Sequence, residues 1–136
     1  MLPHQHFLIA AAAAAPFSLH HPEWILVSGL VSAAVDTDVV VLVYLNAGKH
    51  ESLRQFVNPI NIFRWFGLFM QAISDTGILK TAMKTHIAVS AAVIAVSFIF
   101  FKGLLLPVSI GVVSHILSDI PNISKALGSK LHASQK

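Results

Sequence analysis

The chain contains no cysteine and very little charge, with only 11% of its 136 residues being Asp, Glu, Lys or Arg. Without cysteine there is no disulfide framework, no thiolate nucleophile and no thiolate metal site. Any transition metal must therefore be held by nitrogen and oxygen ligands. Soluble domains carry roughly 25% charged residues, so this chain lacks the polar surface needed to coat a globule in water. Its nine basic residues are scattered, and no zinc-finger or RNA-binding signature is present. That pattern excludes a nucleic-acid module. What the chain has instead is apolar sequence, 55% of residues, with a mean hydropathy of +0.74. It falls in long blocks, which points to lipid as the solvent.

Four apolar segments stand out, at residues 1–19, 24–45, 85–101 and 103–120. Each approaches the roughly 17–25 residues that a helix needs to cross a bilayer. The expected fold is all-α, a single polytopic helical bundle over residues 1–136 with about four spans. Pro16 is expected to end or kink the first helix, because proline cannot donate the usual backbone hydrogen bond. A secretory signal is the rival reading of residues 1–19, but no Lys or Arg precedes the apolar stretch, which favours a span. Only Lys102 and Gly103 separate the last two segments, so they should form a tight helical hairpin. In the connection over residues 46–85, Asn58-Pro59 marks a break. Residues 60–73 are largely apolar, with Asn61, Arg64 and Gln71 at near-helical spacing, the pattern of a helix lying in the membrane interface. A helix packed on the bundle is the equal alternative. Ser74 or Asp75 is expected to cap a helix that runs into the third span and carries Lys80 and Lys84 on its water-side extension.

Charge sets the expected orientation. With four crossings, both termini and the long connection share one side, which holds Lys49, Arg54, Arg64, Lys80, Lys84, Lys125, Lys130 and Lys136. The other side holds Lys102 alone. An excess of eight to one places the termini in the cytoplasm and the protein in the cell (inner) membrane. The C-terminal lysines are expected to meet anionic headgroups.

On that frame the ionisable residues gather toward the cytoplasmic end of every span. His4 and His6 begin the first, Asp36 and Asp38 lie in the later half of the second, and His86 opens the third. His115 and Asp119 close the fourth, and their i, i+4 spacing puts both on one helix face. An acidic residue inside a span costs about 2.5–3.5 kcal/mol on insertion scales, so three aspartates need a partner. No lysine lies beside them within the spans; a cation held by imidazole and carboxylate groups is the expected partner. Asp36 and Asp38 are two apart, so a regular helix would turn them roughly 200° from each other. Either one is a ligand and the other supports it, or the helix opens there, as is tolerated around a protein-enclosed cavity. His20, His21, His50 and His132 fall in loops or the tail and are expected to be solvated.

These residues resemble the motifs of a known family, the YdjM-type, LexA-binding, inner-membrane-associated metal-dependent hydrolases. The resemblance rests on His6-Phe7-Leu8-Ile9-Ala10, Asp36-Thr37-Asp38, Thr85-His86 with Ser90, and Ser114-His115-Ile116-Leu117-Ser118-Asp119. Their order matches across residues 4–120. It implies a helical bundle, distantly similar to zinc-dependent phospholipase C and P1-type nucleases, that hydrolyses phosphoesters. The chain departs from the pattern at Val35, where the family usually has proline. It departs again at Thr81-Ala82, where the family usually has His-Arg just before Thr-His. Lys84 or Lys80 would have to replace that arginine as a phosphate clamp, without its bidentate fork.

The expected function is a membrane-embedded metal-dependent hydrolase of lipid-like phosphoesters reached from the cytoplasmic face. The metal would be zinc, with manganese as the alternative, held by His6, Asp36, Asp38, His86, His115 and Asp119. Asp36 and Lys84 are the candidate catalytic side chains. The expected partners are the bilayer, the amphiphilic substrate and a second copy of the chain in a homo-oligomer. A divalent-ion or proton transporter using the same residues, and a non-catalytic membrane adaptor, are the competing classes.

Overall fold

A computed structural model describes the backbone over residues 2–133 and the side chains over residues 2–121. The expected headgroup contacts of Lys125, Lys130 and Lys136, and the placement of His132, lie outside the described side chains.

The described chain is helical, and no strand occurs among its residues. It divides into two compact units, Met1–Asp36 with His86–Ile120, and Thr37–Thr85 with Pro121–Lys136. Among the described residues, three helices are long and apolar enough to cross a membrane: Glu23–Asn46, Ile78–Phe100 and Lys102–Pro121.

The first unit is built on small residues. Helix α1 (Pro3–Ala14) ends one residue before Ala15–Phe17 tightens into a 3-10 turn containing Pro16, as the missing amide requires. Its buried positions are His6, Ala10 and Ala14, four apart on one face, so a histidine and two methyl groups are what α1 turns inward. Helix α2 (Glu23–Ala34) follows in a hairpin and buries Ser28, Gly29 and Ser32. Gly29 receives the Phe7 ring so closely that a β-carbon there would sit 2.6 Å from it. Glycine, serine and alanine at such contacts let helices approach without a hydrophobic driving force between them.

Helix α7 (Ile78–Phe100) and helix α8 (Leu105–Ala133) form the expected tight hairpin, joined by a 3-10 turn over Lys102–Leu104. α8 lies against α2 at one close contact. A β-carbon on Gly111 would stand 2.6 Å from the Ser28 carbonyl oxygen, and the Ser28 hydroxyl donates to the Pro107 carbonyl at 2.8 Å. Val35, Val108 and Val112 are buried around it, with Val27, Val31, Val93, Ile94 and Leu104 packed on them.

Helix α3 (Thr37–Asn46) continues the second apolar segment after an interruption at Val35 and Asp36. The helix does open at the Asp-x-Asp. Within the second unit, α3 is followed by helix α4 (Glu51–Arg54), a 3-10 turn, helix α5 (Pro59–Arg64) and helix α6 (Phe66–Asp75). Asn58 caps α5 by accepting from the Ile60 amide, so the Asn-Pro break is also a helix start. Residues 60–73 are not one helix, because the chain leaves helical geometry at Trp65. Ile62, Phe69, Ala72 and Ile73 turn into a core with the fully buried Leu53 and Phe56, while Ile60, Phe63, Trp65 and Leu68 stay exposed. Ser74 and Asp75 end α6 and do not begin α7. The boundary falls two residues later, at Gly77, whose φ of +76° suits glycine alone among common residues. α7 then starts seven residues before the expected span and carries Lys80 and Lys84 in its first turns.

Because α2 and α8 touch backbone against small side chain, Gly111→Ala must push the helices apart. We expect it to destabilise the protein by about 1–3 kcal/mol. The check is a thermal melt in detergent against Val113→Ala, an exposed position on the same helix.

Candidate metal centre

The residues of the site come from four places in the chain. His6 sits in the second turn of α1, Asp36 in the break after α2, His86 in the third turn of α7, and His115 and Asp119 one turn apart on α8. All five belong to the first unit.

Four of them form a cage. Ligand-capable atoms of His6, Asp36, His115 and Asp119 all lie within 4.8 Å of one another. The closest nitrogen–oxygen pairs run from His6 Nε2 to Asp119 Oδ1 (3.3 Å) and Asp36 Oδ2 (3.6 Å). From His115 Nε2 they run to Asp36 Oδ1 (3.5 Å) and Asp119 Oδ2 (3.6 Å). These separations are long for hydrogen bonds. They involve both oxygens of each carboxylate, so an ion held by one oxygen from each would draw the four donor atoms in from their span of up to 4.8 Å toward the separations of about 3.3–3.4 Å that bonds of about 2.0–2.1 Å set in a tetrahedron. Each carboxylate presents one oxygen to each imidazole.

Two observations fit this set to a cation. His6 Nε2 is fully buried and has no hydrogen-bond partner, an arrangement that costs a neutral nitrogen its solvation and returns nothing. Its other nitrogen is committed: Ser118 Oγ donates to the His115 carbonyl at 2.8 Å and therefore accepts from His6 Nδ1–H, also at 2.8 Å. That pair of bonds fixes the tautomer that leaves the Nε2 lone pair facing the carboxylates, the usual arrangement of a metal-ligating histidine. Two carboxylates also balance the charge of a divalent ion. A nitrogen and oxygen donor set of this kind could hold a divalent metal ion.

His86 stands at the edge of the cage. Its Nε2 lies 2.7 Å from His115 Nε2, the rings 4.7 Å apart between centroids, yet it is not one of the four mutually close ligands. Asp38 is outside the group as well. It belongs to the second unit, where Thr85 Oγ1 lies 3.2 Å from its Oδ2. Lys84 is exposed. It precedes His86 by two residues on a continuous helix, so it leaves α7 about 200° around from that histidine. The cage is closed behind the imidazoles and open at the acids: His6 and His115 have no exposed surface, while the side chains of Asp36 and Asp119 are 22% and 18% exposed.

Sequence reasoning missed Ser118 as the residue that orients His6. Its signal was available, since it lies beside Asp119 and three residues after His115. In comparisons with protein-family models, with curated proteins and with solved structures, nothing matches the chain.

Removing a ligand and removing its support should differ in degree. We expect His115→Ala and Asp119→Ala to abolish stoichiometric Zn²⁺ binding, and Ser118→Ala to weaken it by about 10–100-fold. Elemental analysis of the purified protein and competition with a chelator measure the two effects.

Proposed function

We propose that the chain is a multi-pass membrane protein that hydrolyses lipid-like phosphoesters with a divalent metal. The reading is carried by one observation, the mutual proximity of His6, Asp36, His115 and Asp119 in a helical unit with apolar outer surfaces. These four are also among the residues on which the resemblance to the YdjM-type hydrolases rests.

Helix rise supports a site reached from one leaflet. Asp36 is 13 residues beyond Glu23, His86 is 14 before Phe100, and His115 is 13 beyond Lys102. At about 1.5 Å per residue, each lies about 20 Å from the helix end that those residues mark. The hydrocarbon core of a bilayer is about 30 Å thick, so the cage sits about 10 Å beneath the opposite face. That is the depth at which an amphiphile presents the junction of its headgroup and tails. We take α1 and its 3-10 turn as the fourth crossing. They rise only about 24 Å, but as α2's antiparallel partner they return the chain to the level of Asp36. The termini then share the cytoplasmic side with eight of the nine basic residues. The exposed Ile60, Phe63, Trp65 and Leu68, with Arg64 over the Trp65 ring, suit α5 and α6 to the interface on that side.

In this reading His6, His115 and Asp119 hold the ion, and Asp36, the most exposed of the four, holds it with one oxygen. A divalent ion supplies Lewis acidity toward a phosphoryl oxygen and makes water a nucleophile near neutral pH. The second Asp36 oxygen would take the proton of the attacking water and return it to the alcohol oxygen released as the P–O bond of the ester breaks. Lys84 is assigned no part in the chemistry, because it leaves α7 away from the His86 face.

The test is turnover of protein reconstituted in liposomes, loaded with Zn²⁺ or Mn²⁺ and offered a panel of phospholipids and lipid monophosphates. We expect metal-dependent release of the phosphate-bearing product, reduced at least 100-fold in Asp36→Asn. Stoichiometric metal without turnover on the panel would sink hydrolysis, and cation flux through the same liposomes would replace it with transport.

A further inference from the structure

Two features of the cage are left over when one ion is placed in it. The first is the second oxygen of each carboxylate. Asp36 turns Oδ2 toward His6 Nε2 at 3.6 Å and Oδ1 toward His115 Nε2 at 3.5 Å. Asp119 repeats the arrangement, with Oδ1 3.3 Å from His6 Nε2 and Oδ2 3.6 Å from His115 Nε2. The donors therefore sort into two sets, each an imidazole nitrogen with one oxygen from either acid. The second feature is His86. Its Nε2 lies 2.7 Å from His115 Nε2, although His86 is outside the four-residue group. Two imidazole nitrogens this close need a proton or a metal ion between them, because their lone pairs repel.

Both features fit a pair of ions. A carboxylate whose two oxygens face different donor sets can bridge two metals, and ions in two-metal sites stand about 3.5–4 Å apart. The His6 and His115 rings lie side by side at that spacing, their centroids 4.0 Å apart and their planes tilted by 34°. Each ring can thus serve its own ion. On one side, His6 Nε2 is fully buried with no hydrogen-bond partner and faces one oxygen of each acid. On the other, His115 and His86 bring two nitrogens together, and their 2.7 Å would open toward the roughly 3.3 Å expected between tetrahedral ligands.

We propose that the centre holds two divalent ions bridged by Asp36 and Asp119. The first sits on His6 Nε2, Asp36 Oδ2 and Asp119 Oδ1. The second sits on His115 Nε2, Asp36 Oδ1, Asp119 Oδ2 and His86 Nε2. The inference rests on the metal-binding reading and deepens it by giving His86 its part and the centre its number of ions. A single ion draws on His6, His115 and one oxygen of each carboxylate. The second ion recruits His86 and claims the Asp36 oxygen that takes a proton in the one-ion form. Two carboxylates balance one divalent ion, so the second leaves a surplus of two positive charges, which a phosphate dianion would match.

Mn²⁺ serves as the probe, because two bridged Mn²⁺ ions couple magnetically and isolated ones do not. We expect the full chain in detergent to take up two Mn²⁺ per chain in equilibrium dialysis and to show the coupled paramagnetic resonance spectrum of a pair. His86→Ala is expected to lose the second ion and keep the first at wild-type affinity, with the spectrum of an isolated ion. One Mn²⁺ per chain in the wild type overturns the proposal. So do two ions without coupling, and so does a second ion that persists undiminished in His86→Ala. Should His86→Ala fail to fold, the stoichiometry and coupling of the wild type decide alone. A wild type that binds no Mn²⁺ and no Zn²⁺ fails earlier, and removes the metal reading itself.

Discussion

Two carboxylates and two imidazoles drawn together among apolar helices are the constraint around which the first unit is organised. An ionised carboxylate away from water is tolerated only when opposite charge and hydrogen bonds surround it. No lysine or arginine belongs to the four-residue group, and histidines alone neutralise the acids only by taking up protons of their own. A divalent ion held there would meet the requirement in one step, cancelling two negative charges and taking a lone pair from each ring. The small residues of α1 and α2 serve that arrangement. Ala10, Ala14, Ser28 and Gly29 bring backbones close enough for side chains from α1, α8 and the end of α2 to share one centre.

Two residues apart, the acids of the Asp-x-Asp would already leave a regular helix roughly 200° from each other. The interruption at Val35 and Asp36 ends one helix and begins another, and the two acids separate: Asp36 enters the cage, and Asp38 takes its place near Thr85 in the other unit. The position before Asp36 is valine where the resembling family usually has proline. The chain opens there nonetheless, so the break does not depend on a missing amide at that position.

Much of this was legible before any coordinates. Composition and block length pointed to an all-helical chain with helices long and apolar enough to cross a membrane, and i, i+4 spacing alone paired His115 with Asp119. The placement of His6 and Asp36 with them followed from counting each residue's distance from the end of its span. What did not follow was anything decided by contact between side chains distant in sequence. His86 and Asp38 satisfied the same depth argument as the four caged residues, and depth carries no information about which way a side chain turns. Ser118 passed unnoticed because serine is common in such helices, and its role here depends on which ring nitrogen it meets. The single helix expected over residues 60–73 was broken at Trp65, where Phe66 and Phe69 are drawn toward the core of the second unit and the turn before them gives way. Gly77 ended α6 through its left-handed backbone, a preference that the neighbouring Ser74 and Asp75 masked.

The close approach at Gly111 has a bearing beyond packing. It stands two helical turns from Asp119, on the same side of α8, where the absence of a side chain fixes how far apart two parallel rods can lie. Asp36 and His115 hang from those rods further along, so the gap between them inherits that separation. The spacing of Asp36 from His115 is thereby tied to a position that carries no reactive group at all.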